Sequence, residues 1–92
     1  NALQIVREAV LNAIKHSQAT LIEVITRTNE DGEQELIVRD NGIGIPSLEE
    51  PDGHYGLNIM HERSAQLNAK LTITNQASGG TEVKVTLAHV SS

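Results

Sequence analysis

The chain has 92 residues, which is room for one domain. Hydrophobic residues make up 38% of it and the only aromatic residue is Tyr55, so branched aliphatic side chains must fill the core. The net charge of −5 argues against nucleic-acid binding, because phosphate backbones attract basic surfaces and single-strand readers stack bases on aromatic rings. The absence of cysteine excludes disulfides, thiolate zinc sites and cysteine nucleophiles. No apolar run is long enough to span a membrane.

The first part of the chain has the pattern of a helix followed by a β-hairpin. Apolar residues recur at three- and four-residue steps over residues 3–16, which predicts an amphipathic helix. Its predicted inner stripe consists of Leu3, Val6, Val10, Ala13 and Ile14. Segments 20–28 and 34–40 are rich in β-branched and alternating apolar residues, which predicts two strands. Gly32, in the turn between them, supplies the positive φ that a tight hairpin needs.

The second part has a long loop, a helix and another hairpin. Residues 41–55 contain three glycines and both prolines, which predicts a loop. We predict a helix over 56–68 and strands over 70–75 and 81–87, with a glycine-containing turn between the strands. Strand pairs joined by tight turns indicate a mainly antiparallel, mixed sheet with helices packed on one face. The predicted fold class is therefore α+β, a two-layer α/β sandwich. Because residue 1 is not a methionine and the given sequence begins almost directly with a predicted helix, we expect residues 1–92 to be one domain of a larger protein.

Glu8, Asn12 and Lys15 form the first candidate site. Their spacing places them on one face of the first helix, away from its predicted apolar stripe. A carboxylate and an amide one turn apart offer the oxygen ligands that Mg²⁺ takes in proteins, and Lys15 could reach a phosphate as a point charge. The same spacing is also typical of a solvated helix face, so the residues alone leave both interpretations open.

Asp40 ends an otherwise apolar strand and opens the second candidate site. A carboxylate at the edge of the core needs a hydrogen-bond donor, and the exocyclic amine of adenine would serve. Gly42 and Gly44 would let the backbone approach a flat ligand, and Ile45 could pack against one of its faces. The alternative is a turn in which Asp40 caps its own loop.

Two glycine-containing segments complete the candidates. Residues 53–57 run into the second helix, whose N–H groups and dipole attract anions such as phosphate. Residues 79–81, Gly-Gly-Thr, begin the last strand. Taken separately, residues 53–57 are more typical of a permissive linker before a helix, and residues 79–81 are more typical of a hairpin turn. The four histidines lack metal-ligand spacing, and no residue order suggests a nucleophilic triad.

Four segments together resemble the ATP-binding boxes of sensor histidine kinases: R-E-A-V-L-N-A-I-K-H (7–16), V-R-D-N-G-I-G-I-P (38–46), Y-G-L-N-I-M-H-E-R (55–63) and G-G-T (79–81). The resemblance covers nearly the whole chain and is strongest to the nitrate/nitrite-sensor subfamily, which shares the short loop without phenylalanine. It implies the Bergerat ATP-binding fold of gyrase and MutL-type ATPases. The strand expected before the first helix is missing, so we expect an N-terminally truncated form of that fold.

The resemblance implies roles for individual residues. Asn12 would ligate Mg²⁺, and Glu8 would polarise the attacking group or hold the metal through water. Lys15 and His16 would lie near the phosphates, and Asp40 would accept a hydrogen bond from the adenine amine. The other implied nucleotide contacts are Gly42, Gly44 and Ile45 in the base pocket, Gly53, Tyr55, Gly56 and Leu57 in the ATP lid, and Thr81 beside the base.

The resemblance also implies a reaction. The domain would bind Mg·ATP and donate the γ-phosphoryl group to a histidine on a separate dimerisation domain of a two-component sensor kinase, for onward transfer to a response regulator. We expect a cytoplasmic domain of a bacterial inner-membrane sensor, monomeric as a fragment and homodimeric in the parent protein. Two alternatives remain: an ATPase of the gyrase type, in which Glu8 activates water, and a module that binds nucleotide or a partner without catalysis.

Overall fold

The computed structural model describes residues 2–15, 18–44, 57–77 and 79–87. Its elements are helix α1 (Ala2–Lys15), strands β1 (Ile22–Thr28) and β2 (Gln34–Asp40), helix α2 (Leu57–Gln66), and strands β3 (Lys70–Asn75) and β4 (Thr81–Leu87). The described strands form one sheet in the order β1-β2-β4-β3, and each neighbouring pair is antiparallel. The predicted order of elements and the predicted α+β sandwich are confirmed.

Helix α2 ends two residues before the predicted end because Asn68 adopts a left-handed conformation. Its φ is 53°. The Ala69 N–H donates to the Ser64 carbonyl at 2.8 Å, and the Asn68 N–H donates to the Ala65 carbonyl at 3.1 Å. These two bonds are the pair that satisfies the last carbonyls of a helix in a Schellman motif. The chain is thereby turned directly into β3.

The core lies between the helices and one face of the sheet. Helix α1 packs over β2 and β4, and α2 packs beside α1 and over β3. The strand register brings helix-facing side chains into rows that cross the sheet. One row joins Val38 to Val83 and Val83 to Ile73, and Val38 and Val83 are almost completely buried. The centre of the helix layer is formed by Ile5 and Met60, both fully buried.

The predicted inner stripe of α1 is wrong at both ends. Leu3 is 69% exposed and Ile14 is 63% exposed, whereas Ala13, which the predicted stripe includes, is buried, as are Ile5 and Ala9, which it does not include. The packed face therefore runs along Ile5, Ala9 and Ala13, which follow one another at four-residue steps on one side of the helix. Val6 and Val10 are part of the predicted stripe and do pack at the border of the core.

The opposite face of the sheet is charged. Arg27 donates from Nε to the Glu35 carboxylate at 2.5 Å, and Lys84 lies 4.0 Å from the same carboxylate. Arg39 donates from Nε and a terminal nitrogen to Glu82, at 3.2 and 2.8 Å. The hydrogen bond from Arg27, together with the charges of Arg27 and Lys84, holds the pKa of Glu35 below its usual value despite burial.

Among the described helices, none has the length and apolar character of a membrane span.

Candidate functional site

A row of polar residues crosses the helix-facing side of the sheet, one row beyond Val38, Val83 and Ile73. Asn75 and Thr81 are register partners, and the β2–β4 register continued by one pair from Arg39 and Glu82 brings Asp40 beside Thr81. Asp40 is 9% exposed and Thr81 is 4% exposed. The strand ends therefore place a buried carboxylate and a buried hydroxyl side by side at the edge of the core, as the alternation of side chains along each strand requires.

Each of these side chains already makes one hydrogen bond. The Gly42 N–H donates to Oδ1 of Asp40 at 2.8 Å, and the Thr81 hydroxyl donates to Oδ1 of Asn75 at 3.2 Å. The first bond is the local turn that was the alternative interpretation of Asp40. A carboxylate has two oxygens and about four acceptor positions, so this bond leaves Asp40 able to accept from a ligand amine as well.

The loop after Asp40 is anchored on its other side by Asn41. Oδ1 of Asn41 accepts hydrogen bonds from the Thr20 and Leu21 N–H groups at 2.9 and 3.0 Å, and Nδ2 donates to the Thr20 hydroxyl at 2.9 Å. The Asn41 N–H also donates to the Leu21 carbonyl at 3.3 Å. The side chain thus fixes the loop to the segment that leads into β1, which limits the freedom of Asp40 and Gly42.

The turn between β3 and β4 supports the same loop through glycine. A Cβ atom at Gly80 would lie 1.8 Å from the Asp40 carbonyl oxygen, and a Cβ atom at Gly44 would lie 2.8 Å from Oδ1 of Asn75. Both glycines have positive φ, 92° and 83°. The Asp40 loop and the β3–β4 turn therefore touch backbone to backbone, and a side chain at either position would separate them.

The α1 residues of the first candidate site lie beside the packed face and not opposite it. Glu8 and Asn12 are half-buried, and Lys15 is exposed. Asn12 follows the buried Ile5 by seven residues, which puts the two within about 20° of each other around the helix axis. Helix α1 as a whole packs over β2, which ends at Asp40, and over β4, which begins at Thr81.

The side-chain oxygens of Glu8 and Asn12 on α1 could supply part of the coordination shell of Mg²⁺, but not all of it. Among the described residues, no cluster of three or more His, Cys, Asp or Glu side chains could hold a metal ion by itself. Mg²⁺ in nucleotide sites is held by one or two protein ligands together with phosphate oxygens and waters. Glu8 and Asn12, one turn apart on α1, are a donor set of that kind.

Several predicted site residues lie outside the described residues: His16, Ile45, Gly53, Tyr55 and Gly56. Leu57 is the first residue of α2. The structure also places Asn41 and Asn75 around the site, and neither was predicted from the sequence, whereas Gly80 lies within the predicted candidate segment 79–81. The register could have indicated Asn75, because pairing the last two strands across their turn aligns it with Thr81.

The sequence matches the family described as histidine kinase-, DNA gyrase B- and HSP90-like ATPase over residues 1–91. The chain belongs to this family. Its fold is similar to the crystal structure of the ATP binding domain of PrrB from Mycobacterium tuberculosis, with a TM-score of 0.79 and 26% sequence identity, covering 96% of this chain and 66% of that one. The predicted histidine-kinase type of ATP-binding domain is confirmed for family and fold.

Two similar sequences are those of sensor proteins. The chain is 63% identical over 89 residues to the sensor protein NarQ homolog of Haemophilus influenzae, covering 97% of this chain and 16% of that protein. It is 53% identical over 83 residues to the nitrate/nitrite sensor protein NarQ of Escherichia coli, covering 90% of this chain and 15% of that protein. The resemblance to the nitrate/nitrite-sensor subfamily is confirmed, and the chain spans about one sixth of the length of these relatives.

Proposed function

We propose that residues 1–92 form the catalytic ATP-binding domain of a two-component sensor kinase, which binds Mg·ATP and donates the γ-phosphoryl group to a histidine on a separate dimerisation domain. The buried pair of Asp40 and Thr81 at the end of the sheet is the observation that carries this proposal. The similarity to NarQ proteins supports the kinase over the gyrase-type hydrolase. A response regulator would then accept the phosphoryl group from that histidine.

Adenine recognition would depend on the Asp40 carboxylate. It lies at the end of the apolar rows, 9% exposed, where a ligand amine would replace water as its hydrogen-bond donor. Gly42 and Gly44 leave the adjacent backbone without side chains, so a flat ring could approach it. Ile45 would line the same pocket. Thr81, beside Asp40, would help to hold the base.

Glu8 and Asn12 would face the phosphate end of the nucleotide. Asn12 would supply a Mg²⁺ ligand, and Glu8 would hold the metal through water or polarise the attacking histidine. Bound Mg²⁺ would neutralise charge on the phosphates. Lys15 and His16, near the end of α1, would add positive charge, and residues 53–57 would direct N–H groups toward the phosphates as a lid.

In the transfer, a nitrogen of the acceptor imidazole forms a bond to the γ-phosphorus, the bond from that phosphorus to the bridging oxygen breaks, and ADP leaves. Glu8 would accept a hydrogen bond from the N–H of the other ring nitrogen and take up its proton as the neutral phosphohistidine forms. Catalysis would come mainly from positioning and charge neutralisation, as in other phosphoryl transfers. The domain would work on the cytoplasmic side of a homodimeric inner-membrane sensor.

Calorimetric titration with a non-hydrolysable ATP analogue and Mg²⁺ tests the adenine contact. Asp40→Asn should weaken binding by roughly 10- to 150-fold, because a hydrogen bond to a charged acceptor contributes about 1.5–3 kcal/mol. Asp31→Asn makes the same chemical change in the exposed β1–β2 turn and should leave the affinity unchanged. Equal affinity of Asp40→Asn and the original chain would refute the role of Asp40.

Phosphorylation of a supplied acceptor domain tests the catalytic part. Asn12→Ala should abolish Mg²⁺-dependent transfer while its circular dichroism spectrum stays that of a folded domain. A transfer rate equal to that of the original chain would rule out Asn12 as a metal ligand. Steady phosphate release by the original chain without any acceptor would favour the hydrolase instead.

A further inference from the structure

We infer that the Asn41–Gly42 peptide is a deamidation site whose rate is controlled by the hydrogen bonds of the Asn41 side chain. Among the asparagines of the chain, Asn41 alone precedes a glycine. An asparagine in this position loses its side-chain amide more readily than others, because glycine has no Cβ to hinder attack by its own backbone nitrogen. Asn41 is also exposed to water, in the loop that follows β2.

The reaction needs no partner other than water and its ions. The Gly42 nitrogen loses its proton to hydroxide and forms a bond to the side-chain carbonyl carbon of Asn41. The bond from that carbon to Nδ2 breaks, Nδ2 takes a proton from water, ammonia leaves, and a five-membered succinimide ring remains. Water then adds to one of the two ring carbonyls, the C–N bond at that carbonyl breaks, and the ring nitrogen regains a proton. The product has aspartate or isoaspartate at position 41.

In the folded chain, the carboxamide of Asn41 is tied to the segment that leads into β1. Oδ1 accepts from the Thr20 and Leu21 N–H groups at 2.9 and 3.0 Å, and Nδ2 donates to the Thr20 hydroxyl at 2.9 Å. We call these three hydrogen bonds the Asn41 clamp. Ring closure turns the carboxamide carbon toward the Gly42 nitrogen, so the clamp must open before the reaction proceeds.

The attacking nitrogen is restrained as well. The Gly42 N–H donates to Oδ1 of Asp40 at 2.8 Å. The nitrogen attacks only after it has lost this proton, and an amide anion beside an ionised carboxylate is disfavoured by repulsion between like charges. The closed loop therefore slows both halves of the first step, and the reaction proceeds from an opened loop.

Opening of the clamp does not require unfolding of the domain. Thr20 and Asn41 are exposed, and they lie just beyond the last β1–β2 register pair, Ile22 with Asp40. Exposed hydrogen bonds at the end of a strand pair open at a lower free-energy cost than the core does. Such opening uncovers little surface, so urea below the unfolding transition should leave the deamidation rate nearly constant.

The two products change the loop differently. Aspartate at position 41 keeps the main chain and loses only the amide that donates to Thr20. Isoaspartate adds one carbon to the main chain before Gly42, which displaces the Gly42 N–H from Oδ1 of Asp40. If Asp40 binds a nucleotide, the isoaspartate form should also lose affinity for it. Only that consequence rests on the proposed function, because the deamidation rates are measured without nucleotide.

The experiment incubates the full chain at mildly alkaline pH, either folded or in urea above its unfolding transition. Chromatography and mass spectrometry of the peptide that contains residues 41 and 42 follow the asparagine, aspartate and isoaspartate forms. The folded chain should deamidate about tenfold more slowly than the unfolded chain, or more slowly still, because three hydrogen bonds must open. An equal or faster rate in the folded chain would overturn the inference.

Thr20→Val tests the clamp itself, because it removes the hydroxyl and keeps the shape of the side chain. It should raise the rate in the folded chain about two- to tenfold, the effect of one hydrogen bond, and leave the rate in the unfolded chain unchanged. Thr26→Val makes the same change at an exposed position of β1 and should alter neither rate. An unchanged folded rate in Thr20→Val, or an equal rise in Thr26→Val, would overturn control by the clamp.

Two further measurements separate the local route from the alternatives. In the folded chain, a rate that climbs steeply with urea below the transition would show reaction from the unfolded state and overturn local control. In the unfolded chain, Gly42→Ala should largely suppress deamidation at residue 41, because its Cβ hinders the attacking nitrogen. An undiminished rate in that variant would overturn the succinimide route.

Discussion

The contact between Gly80 and the Asp40 carbonyl leads to the sharpest prediction about stability. In Gly80→Ala, the new Cβ would lie 1.8 Å from the Asp40 carbonyl oxygen and 2.7 Å from its carbon, far inside the 3.0 Å limit that real Cβ contacts respect. Both atoms are backbone, so no flexible side chain can move aside. The β3–β4 turn and the end of β2 must separate.

The expected decrease in the free energy of unfolding of Gly80→Ala has two parts. A non-glycine residue at positive φ costs about 1–3 kcal/mol, and forcing a methyl group into a closed contact costs about 1–3 kcal/mol more. Gly80→Ala should therefore lower the free energy of unfolding by about 2–6 kcal/mol. Gly79→Ala is the matched control: its φ is 105°, but its Cβ would meet the Gly42 carbonyl oxygen at an ordinary 3.6 Å. It should show only the backbone part, about 1–3 kcal/mol.

Urea denaturation followed by far-ultraviolet circular dichroism measures the difference. With a denaturant slope of about 1–3 kcal/mol per molar for a small domain, Gly80→Ala should have a midpoint roughly 1 M below that of Gly79→Ala. Because the clash displaces Asp40, the proposed adenine acceptor, the ATP-analogue affinity of Gly80→Ala should also fall more. Equal midpoints for the two variants would refute the backbone contact as the cause.

Two further predictions concern the core and the charged face of the sheet. Met60→Ala should lower the free energy of unfolding by about 2–5 kcal/mol in the same urea assay, because Met60 is fully buried between the helices and the sheet. Ile59→Ala, at a position 45% exposed, should cost clearly less, and equal costs would contradict the described packing of α2. Glu35→Gln should make the free energy of unfolding less dependent on pH under acidic conditions. The pKa of Glu35 is lowered in the folded state, so its contribution is complete above the unfolded value of 4.5 and is lost as the pH falls through the folded pKa. The stability difference between Glu35→Gln and the original chain should therefore be largest near neutral pH and shrink below pH 4.5, and a difference that stays constant into acid would contradict the role of the ion pair.

The elements were predictable because each depends on local periodicity. The alternation of Val83, Val85 and Leu87 with polar residues specifies one covered face for β4, and Gly32 has the positive φ of 81° that the predicted hairpin turn requires. The buried face of α1 was harder to predict from local periodicity. The predicted stripe included Ala13, which is buried, but it left out the buried Ile5 and Ala9 and included Leu3 and Ile14, which are exposed.

The candidate site was predictable only in part. Asp40 stood out because a carboxylate interrupts an apolar strand, and its burial agrees with the prediction. The contacts that hold the site in place could not be predicted from the sequence, because they join segments that are far apart along the chain. Asn41 holds residues about twenty positions earlier, and Gly80 meets the Asp40 carbonyl forty positions away. Neither contact leaves a local pattern, and each becomes visible only when the strand order is known.

For the stability of the sheet by itself, the polar row of Asp40, Thr81 and Asn75 is less favourable than an apolar row would be. Apolar residues at positions 40 and 81 would extend the apolar row of Val38 and Val83 and bury further apolar surface. The carboxylate of Asp40 and the hydroxyl of Thr81 must instead be satisfied by hydrogen bonds. The chain satisfies them with the Gly42 N–H and with Asn75, and it needs glycine at positions 44 and 80 to bring these partners close. Departures from the locally favourable choice that require several compensations are typical of functional sites. A bound nucleotide would supply the remaining hydrogen-bond partner, so binding would stabilise this end of the sheet by mass action.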